Sequence, residues 1–124
     1  MLLVEDDIEV GELVQAMLEE LGHAVLRADG SEQALEAARR EPSIGLVLTD
    51  VIMPGGRTGV DLAVALTSQR PGLPVVLSSG FTGEALADAE AAPWPLLRKP
   101  YAVDELADAL AAALTNPVPA AAGF

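Results

Sequence analysis

The residues of this chain that could carry out chemistry are acidic and follow apolar segments. The first apolar run is followed at once by Glu5, Asp6 and Asp7, and a later one ends at Asp50. If these carboxylates share a crevice, their like charges raise the pKa of one of them unless a cation binds. Oxygen ligands of this kind suit Mg²⁺. A carboxylate beside Mg²⁺ can then act as a nucleophile and accept a phosphoryl group as an aspartyl phosphate.

Two further polar side chains follow apolar runs later in the chain. Lys99 could pair with a phosphoryl oxygen as a compact point charge. Ser79 could donate a hydrogen bond to another such oxygen. Together with the carboxylates, these residues would supply the charge stabilisation on which phosphoryl transfer depends.

The elements that must position these residues alternate regularly along the chain. Short apolar runs predict strands at residues 2–4, 24–26, 44–50, 73–77 and 94–98. Helical spacing of apolar residues recurs in residues 10–21, 34–38, 60–67, 82–91 and 103–114. Asp7 is the expected N-cap of the first helix and Gly22 its C′ residue. Pro95 indicates that the fifth strand lies at a sheet edge.

Strands alternating with helices predict an α/β fold in which helices cover both faces of a parallel sheet. In such folds the chemistry lies outside the carboxyl ends of the strands, at a topological switch point. Four of the predicted strands would bring polar residues to that edge, namely Glu5–Asp6, Asp50, Ser79 and Lys99.

The bulk composition narrows the classes of function. The 124 residues suit a single domain, and the formal net charge of −12 disfavours binding to nucleic acid or to an anionic membrane surface. The chain has no cysteine, which excludes thiol catalysis and disulfides. There is no apolar run of the roughly 20 residues that a membrane span requires, and no signal-peptide pattern. A cytoplasmic location is therefore expected.

Four motifs occur in an order and at strand positions that resemble the receiver domain of two-component response regulators. They are LVEDD at 3–7, LVLTDVIMPG at 46–55, LPVVLSSGF at 73–81 and LLRKPY at 96–101. The resemblance implies a flavodoxin-like (βα)5 doubly wound fold with a five-stranded parallel sheet in the order 2-1-3-4-5. It also implies a phosphorelay role, with a histidine kinase or histidine phosphotransfer protein as the phosphoryl donor.

The resemblance extends to individual residues. It implies Mg²⁺ as the cofactor, held by Glu5, Asp6, Asp50 and the backbone carbonyl of Ile52. It makes Asp50 the phosphoacceptor, Ser79 the hydroxyl that responds to phosphorylation and Lys99 the phosphate-binding lysine. The Lys99–Pro100 bond is often cis in the family.

Two features depart from the family pattern. The aromatic residue that commonly precedes the lysine by three positions is replaced by Leu96, so any aromatic gating would use Phe81 or Tyr101. The loop after Pro54 is also one residue longer than usual, which could reshape the rim where a kinase or phosphatase docks.

Several alternatives remain open at the level of sequence. The chain could be a single-domain regulator or the terminal receiver of a hybrid sensor histidine kinase, with a receiver at 1–115 and a tail or linker at 116–124. A phosphohydrolase would need an acid at Ile52, and a pseudo-receiver would only bind partners. A homodimer could form through the fourth helix, fifth strand and fifth helix.

Overall fold

A computed structural model describes residues 1–52, 58–80 and 84–115. Five strands alternate with five helices within these ranges. The strands are β1 (Leu2–Val4), β2 (Leu26–Ala28), β3 (Val47–Asp50), β4 (Val75–Ser79) and β5 (Leu96–Arg98). The helices are α1 (Ile8–Glu20), α2 (Ser31–Arg40), α3 (Gly59–Gln69), α4 (Glu84–Ala91) and α5 (Val103–Thr115).

The strands form one parallel sheet in the order β2-β1-β3-β4-β5. This topology confirms the predicted doubly wound α/β fold. β5 lies at an edge of the sheet, as Pro95 indicates. The order reverses beside β1, so the crevice where a doubly wound fold binds its ligands lies above β1 and β3.

Two apolar cores cover the two faces of the sheet. Neighbouring strand residues point to opposite faces, so Leu2 and Val4 join one core while Leu3 joins the other. The first core packs against α2 and α3, and its members from those helices include Ala34, Ala38, Leu62 and Leu66. The second packs against α1 and α5, through residues that include Val14, Leu18, Leu106 and Leu110. Helices therefore cover both faces of the sheet.

The helix ends follow local chemistry. The carboxylate of Asp7 accepts a hydrogen bond from the amide of Val10 at 3.0 Å, which confirms Asp7 as the N-cap of α1. Gly22 follows that helix with a φ of 95°, the left-handed conformation expected of a C′ glycine. α3 begins with a capping box between Thr58 and Asp61 that sequence reasoning missed, although the spacing T-x-x-D carries its signal.

Several strand bounds differ from the predicted ones. β2 lies two residues later than predicted and includes Arg27, and β4 extends to Ser79. β3 begins only at Val47, because the amide of Ile44 bonds to the carbonyl of Glu41 in a turn at 3.1 Å. β5 begins at Leu96 rather than Trp94. Runs of apolar residues thus predicted which residues are buried more accurately than they predicted where the strands begin and end.

Some predictions made from the sequence concern residues that the structure does not describe. Phe81, most of the loop after Pro54, and the segment 116–124 lie outside the described residues. Within the described residues, no helix is long and apolar enough to cross a membrane.

Candidate functional site

The predicted site residues meet where the strands end. β3 ends at Asp50 and β4 at Ser79, while Glu5 directly follows β1. The amide of Lys99, just after β5, donates a 2.9 Å hydrogen bond to the carbonyl of Ser79. In the register of β3 with β4, Asp50 lies opposite Ser78. All of these residues therefore reach the carboxyl edge of the sheet, as predicted.

Three carboxylates form the centre of the site. Glu5, Asp6 and Asp50 each place one oxygen within 4.8 Å of the others. Glu5 and Asp50 are buried, at 4% and 6% exposure, whereas Asp6 is exposed. Asp7 uses its carboxylate as the N-cap of α1.

Lys99 is the cation that this cluster shares. Its Nζ lies 3.0 Å from Oε1 of Glu5 and 3.6 Å from Oδ2 of Asp50. Because both carboxylates are buried, the attraction is less screened than it would be at the surface. Lys99 is therefore bound mainly to Glu5 and lies within reach of Asp50.

The environment of Asp50 favours its protonated form more than bulk water does. The pKa of Asp50 is raised to about 6, mainly by burial; the positive charge of Lys99 opposes this shift, and the negative charges of Glu5 and Asp6 add to it. Oδ1 of Asp50 is buried and has no hydrogen-bond partner within the described part of the chain. The described residues thus supply too few hydrogen-bond donors to the carboxylate of Asp50.

This donor set fits a hard divalent cation. Three carboxylates in one crevice, one with an unsatisfied buried oxygen, provide the oxygen ligands and the negative charge that Mg²⁺ requires. Glu5, Asp6 and Asp50 could hold the ion. Ile52 pairs with Thr58 in an isolated antiparallel bridge. Its carbonyl as an additional ligand remains a prediction.

The first residue of α3 packs against the backbone at the end of β3. Gly59, the first residue of α3, donates its amide to the carbonyl of Val51 at 2.7 Å. A Cβ at Gly59 would lie 2.3 Å from the carbonyl oxygen of Asp50. From the sequence we predicted only a longer loop after Pro54, because the contact of Gly59 with Asp50 arises only in three dimensions.

Tyr101 borders the site on the side of α1 and was noted in the sequence only as an alternative gating residue. Its ring is half-buried and, with Lys99 and Pro100, lines a cavity of about 180 Å³ against Val10, Leu13, Val14 and Met17. Burial and the negative charges of Glu5 and Asp50 raise the pKa of Tyr101 to about 12. The Lys99–Pro100 peptide bond is cis, as the resemblance implies.

Comparison with known proteins agrees with this architecture. The family profile described as "Response regulator receiver domain" matches residues 1–111. The sensory/regulatory protein RpfC of Xanthomonas campestris pv. campestris is 38% identical over 117 residues, which cover 89% of this chain and 16% of that protein. The nitrogen assimilation regulatory protein NtrX of Azorhizobium caulinodans is 30% identical over 109 residues, covering 85% of this chain and 24% of that protein. The chain thus spans a quarter or less of the length of these curated relatives.

Solved structures give the same result. A response regulator receiver protein from Sinorhizobium medicae superposes with a TM-score of 0.81 at 25% identity, covering 93% of both chains. The receiver domain of NtrX from Brucella abortus superposes with a TM-score of 0.80 at 28% identity, covering 93% of this chain and 98% of that one. The chain belongs to the response regulator receiver domain family.

Proposed function

We propose that this chain is a phosphoacceptor switch in which Asp50 takes a phosphoryl group from a histidine kinase or a histidine phosphotransfer protein. The observation that carries the proposal is the state of Asp50. It is a buried carboxylate, one oxygen of which has no hydrogen-bond partner among the residues that the structure describes, and two further carboxylates and one lysine surround it. Such a group is poised to react with an electrophile once a cation held by the three carboxylates compensates their negative charge.

In the proposed reaction, an oxygen of Asp50 attacks the phosphorus of the donor phosphohistidine. The new P–O bond forms as the P–N bond breaks, and the imidazole leaves with the electron pair. Lys99 pairs with a phosphoryl oxygen and Ser79 donates a hydrogen bond to another. Mg²⁺ held by Glu5, Asp6, Asp50 and the carbonyl of Ile52 would neutralise the charge that develops on the phosphoryl oxygens.

The modification replaces a carboxylate with a group of about −1.5 to −2 charge. We infer that Lys99 and Ser79 move towards it and that β4 and β5 transmit the movement to the surface formed by α4, β5 and α5. That surface is our candidate for a homodimer or for an output partner. Leu96 is only partly buried and not aromatic, so the relay differs from the usual aromatic gating.

We place this receiver, residues 1–115 with a linking tail at 116–124, in the cytoplasm as part of a larger signalling protein. The similarity to a sensory/regulatory protein supports a hybrid sensor histidine kinase as the parent. A single-domain regulator is the second candidate. The receiver itself would then have at most self-phosphorylation and autodephosphorylation activity.

The test is incubation with acetyl phosphate and Mg²⁺, followed by intact-mass measurement. We expect the wild type to gain the mass of one phosphoryl group, and Asp50→Asn to gain none because its amide is not a nucleophile. Asp108→Asn, which changes an exposed acid on α5, is the matched control and should react like the wild type.

A pseudo-receiver would behave differently in the same experiment. It would gain no mass at any Mg²⁺ concentration, and that result would remove the proposed function. Equal gain by the wild type and Asp50→Asn would place the phosphoryl group elsewhere.

A further inference from the structure

Thr49 is a polar residue that is buried directly before Asp50 in β3. It is 0% exposed. Neighbouring side chains of a strand point to opposite faces, so Thr49 points into the first core, as Val47 does, while Asp50 points to the other face of the sheet. A hydroxyl in an apolar core costs free energy unless it is hydrogen-bonded. The partner of this hydroxyl therefore indicates what the residue does.

The hydroxyl of Thr49 bonds to the backbone of Asp50. Its Oγ1 donates a buried hydrogen bond of 3.0 Å to the carbonyl oxygen of Asp50. The same oxygen lies so close to Gly59, the first residue of α3, that a Cβ there would be 2.3 Å from it. The carbonyl of Asp50 is thus bonded to a side chain and packed against the start of a helix, which leaves it little room to rotate.

The following residue is held by its own backbone groups. The amide of Val51 donates to the carbonyl of Ser78 at 2.9 Å, and the carbonyl of Val51 accepts from the amide of Gly59 at 2.7 Å. The backbone from Asp50 to Val51 is therefore tied both to β4 and to α3. The bond from Thr49 is made by a side chain, so a substitution can remove it and leave the backbone bonds in place.

This stretch of backbone carries two groups of the proposed site. The side chain of Asp50 is the proposed nucleophile and a cation ligand, and the carbonyl of Ile52, two residues later, is the predicted further ligand. Rotation of the peptide that joins Asp50 to Val51 would move these two groups relative to each other. Residues that hold metal ligands in place contribute to the affinity for the ion although they do not touch it.

We propose that Thr49 is a positioning residue of the phosphoacceptor site. Its hydroxyl holds the carbonyl of Asp50 and so keeps the Asp50 carboxylate and the Ile52 carbonyl in the arrangement that the cation and the phosphoryl transfer require. Thr49 acts through the backbone and touches neither the cation nor the phosphoryl group. This inference rests on the proposed function of Asp50.

The first test measures Mg²⁺ binding by calorimetry, a readout that does not depend on phosphorylation. Thr49→Val keeps the branched shape and loses the hydroxyl. We expect its Mg²⁺ dissociation constant to rise about fivefold, the change that corresponds to the loss of one net hydrogen bond. Thr49→Ser keeps the hydroxyl and should bind Mg²⁺ within about twofold of the wild type.

Thr67→Val is the matched control for the loss of a buried hydroxyl. Thr67 is 7% exposed, and its Oγ1 donates to the carbonyl of Ala63 at 2.8 Å. It lies about two helical turns along α3 from Gly59. We expect Thr67→Val to lower the unfolding temperature about as much as Thr49→Val does and to leave the Mg²⁺ dissociation constant unchanged.

The second test is phosphorylation by acetyl phosphate at saturating Mg²⁺. We expect the maximal rate of Thr49→Val to fall about fivefold, because the carboxylate of Asp50 is less well oriented. The half-saturating acetyl phosphate concentration should stay the same, since Thr49 does not touch the phosphoryl donor. Thr49→Ser and Thr67→Val should react like the wild type.

The outcomes separate a positioning role from a purely structural one. A Mg²⁺ dissociation constant for Thr49→Val within about twofold of the wild-type value overturns the proposal, and so does a Thr49→Ser variant that binds Mg²⁺ as weakly as Thr49→Val. Thermal unfolding checks the fold of each variant. If Thr49→Val does not fold, Thr49→Ala is compared with Thr49→Ser, since these two differ only in the hydroxyl, and the same expectations apply.

Failure of the proposed function would look different. A wild type that neither binds Mg²⁺ nor accepts a phosphoryl group would remove the proposed function and this inference together. An active wild type with an unaffected Thr49→Val variant would remove the inference alone.

Discussion

Ionisation of the Asp50 carboxyl costs more free energy in the folded chain than in the unfolded chain. Its pKa lies near 6 in the folded chain against an ordinary value of 3.8, so the folded state holds the proton more tightly than the unfolded state does. Between these two values the stability of the fold decreases as pH rises. At neutral pH the fold contains a buried charge that the unfolded chain would solvate without cost.

Asp50→Asn should therefore stabilise the metal-free fold. The amide has similar shape and no charge, and Lys99 keeps its bond to Glu5. We expect the free energy of unfolding at pH 7 to increase by about 1 to 3 kcal/mol, with a smaller gain at pH 5. Urea unfolding of both proteins at the two pH values measures this difference.

Added Mg²⁺ should reduce the advantage of the asparagine, because an ion that binds the three carboxylates stabilises the wild type preferentially. Asp108→Asn serves again as the exposed control and should change stability by less than about 0.5 kcal/mol. A destabilising Asp50→Asn, or a gain that grows as pH falls, would contradict the account of Asp50.

The site residues were predictable to different degrees. Glu5, Asp6, Asp50, Ser79 and Lys99 could be gathered from the sequence, because each lies at or just after an apolar run, and parallel strands end at one edge. The position of Tyr101 beside Lys99 could not be predicted in the same way, because it depends on packing against α1, which no local spacing records.

Element by element, the order of strands and helices followed from periodicity, while their bounds did not. The bounds of the second strand were predicted two residues too early, because a charged residue, Arg27, occupies the middle position of β2. In the structure the guanidinium of Arg27 reaches over α1, where a Cβ on Gly11 would lie 2.0 Å from Nη2. Long polar side chains that bury their stems produce such errors.

The junction of β3 and α3 gives a prediction at this scale. Glycine is the only residue type that fits at position 59, because a Cβ at that position would lie 2.3 Å from the carbonyl oxygen of Asp50. Gly59→Ala must shift either α3 or the end of β3. We expect it to lower the free energy of unfolding by about 2 kcal/mol or more, as measured by urea unfolding.

Gly45→Ala is the matched control, since a Cβ there meets no atom within 4 Å. It should change stability by less than about 0.5 kcal/mol. If the two substitutions had equal effects, the close approach of α3 to the backbone of Asp50 would not be a constraint on the fold.

For the molecule as a whole, the formal net charge of −12 is the main electrostatic property. The chain has 19 acidic and 7 basic residues, so like-charge repulsion opposes compaction. The exposed pairs of Glu36 with Arg39 and Arg40 weaken in salt, but such surface pairs contribute little. Relief of repulsion should therefore outweigh their loss.

We expect the free energy of unfolding to rise by about 1 kcal/mol as NaCl increases from about 20 to about 200 mM, because the screening length shortens over this range. Urea unfolding at several NaCl concentrations, without Mg²⁺, measures the change. A fall in stability over this range would show that specific ion pairs, rather than net repulsion, set the electrostatic balance.

The central claim is that Asp50 is the nucleophile of a Mg²⁺-dependent phosphoryl transfer. The most direct test is to phosphorylate the protein with acetyl phosphate and to locate the acyl phosphate by mass spectrometry of its peptides, with and without a chelator of divalent cations. We expect one acyl phosphate, on Asp50, which forms in the presence of Mg²⁺ and does not form when the chelator is present. Modification at another residue, or equal modification in the presence of the chelator, would contradict the central claim.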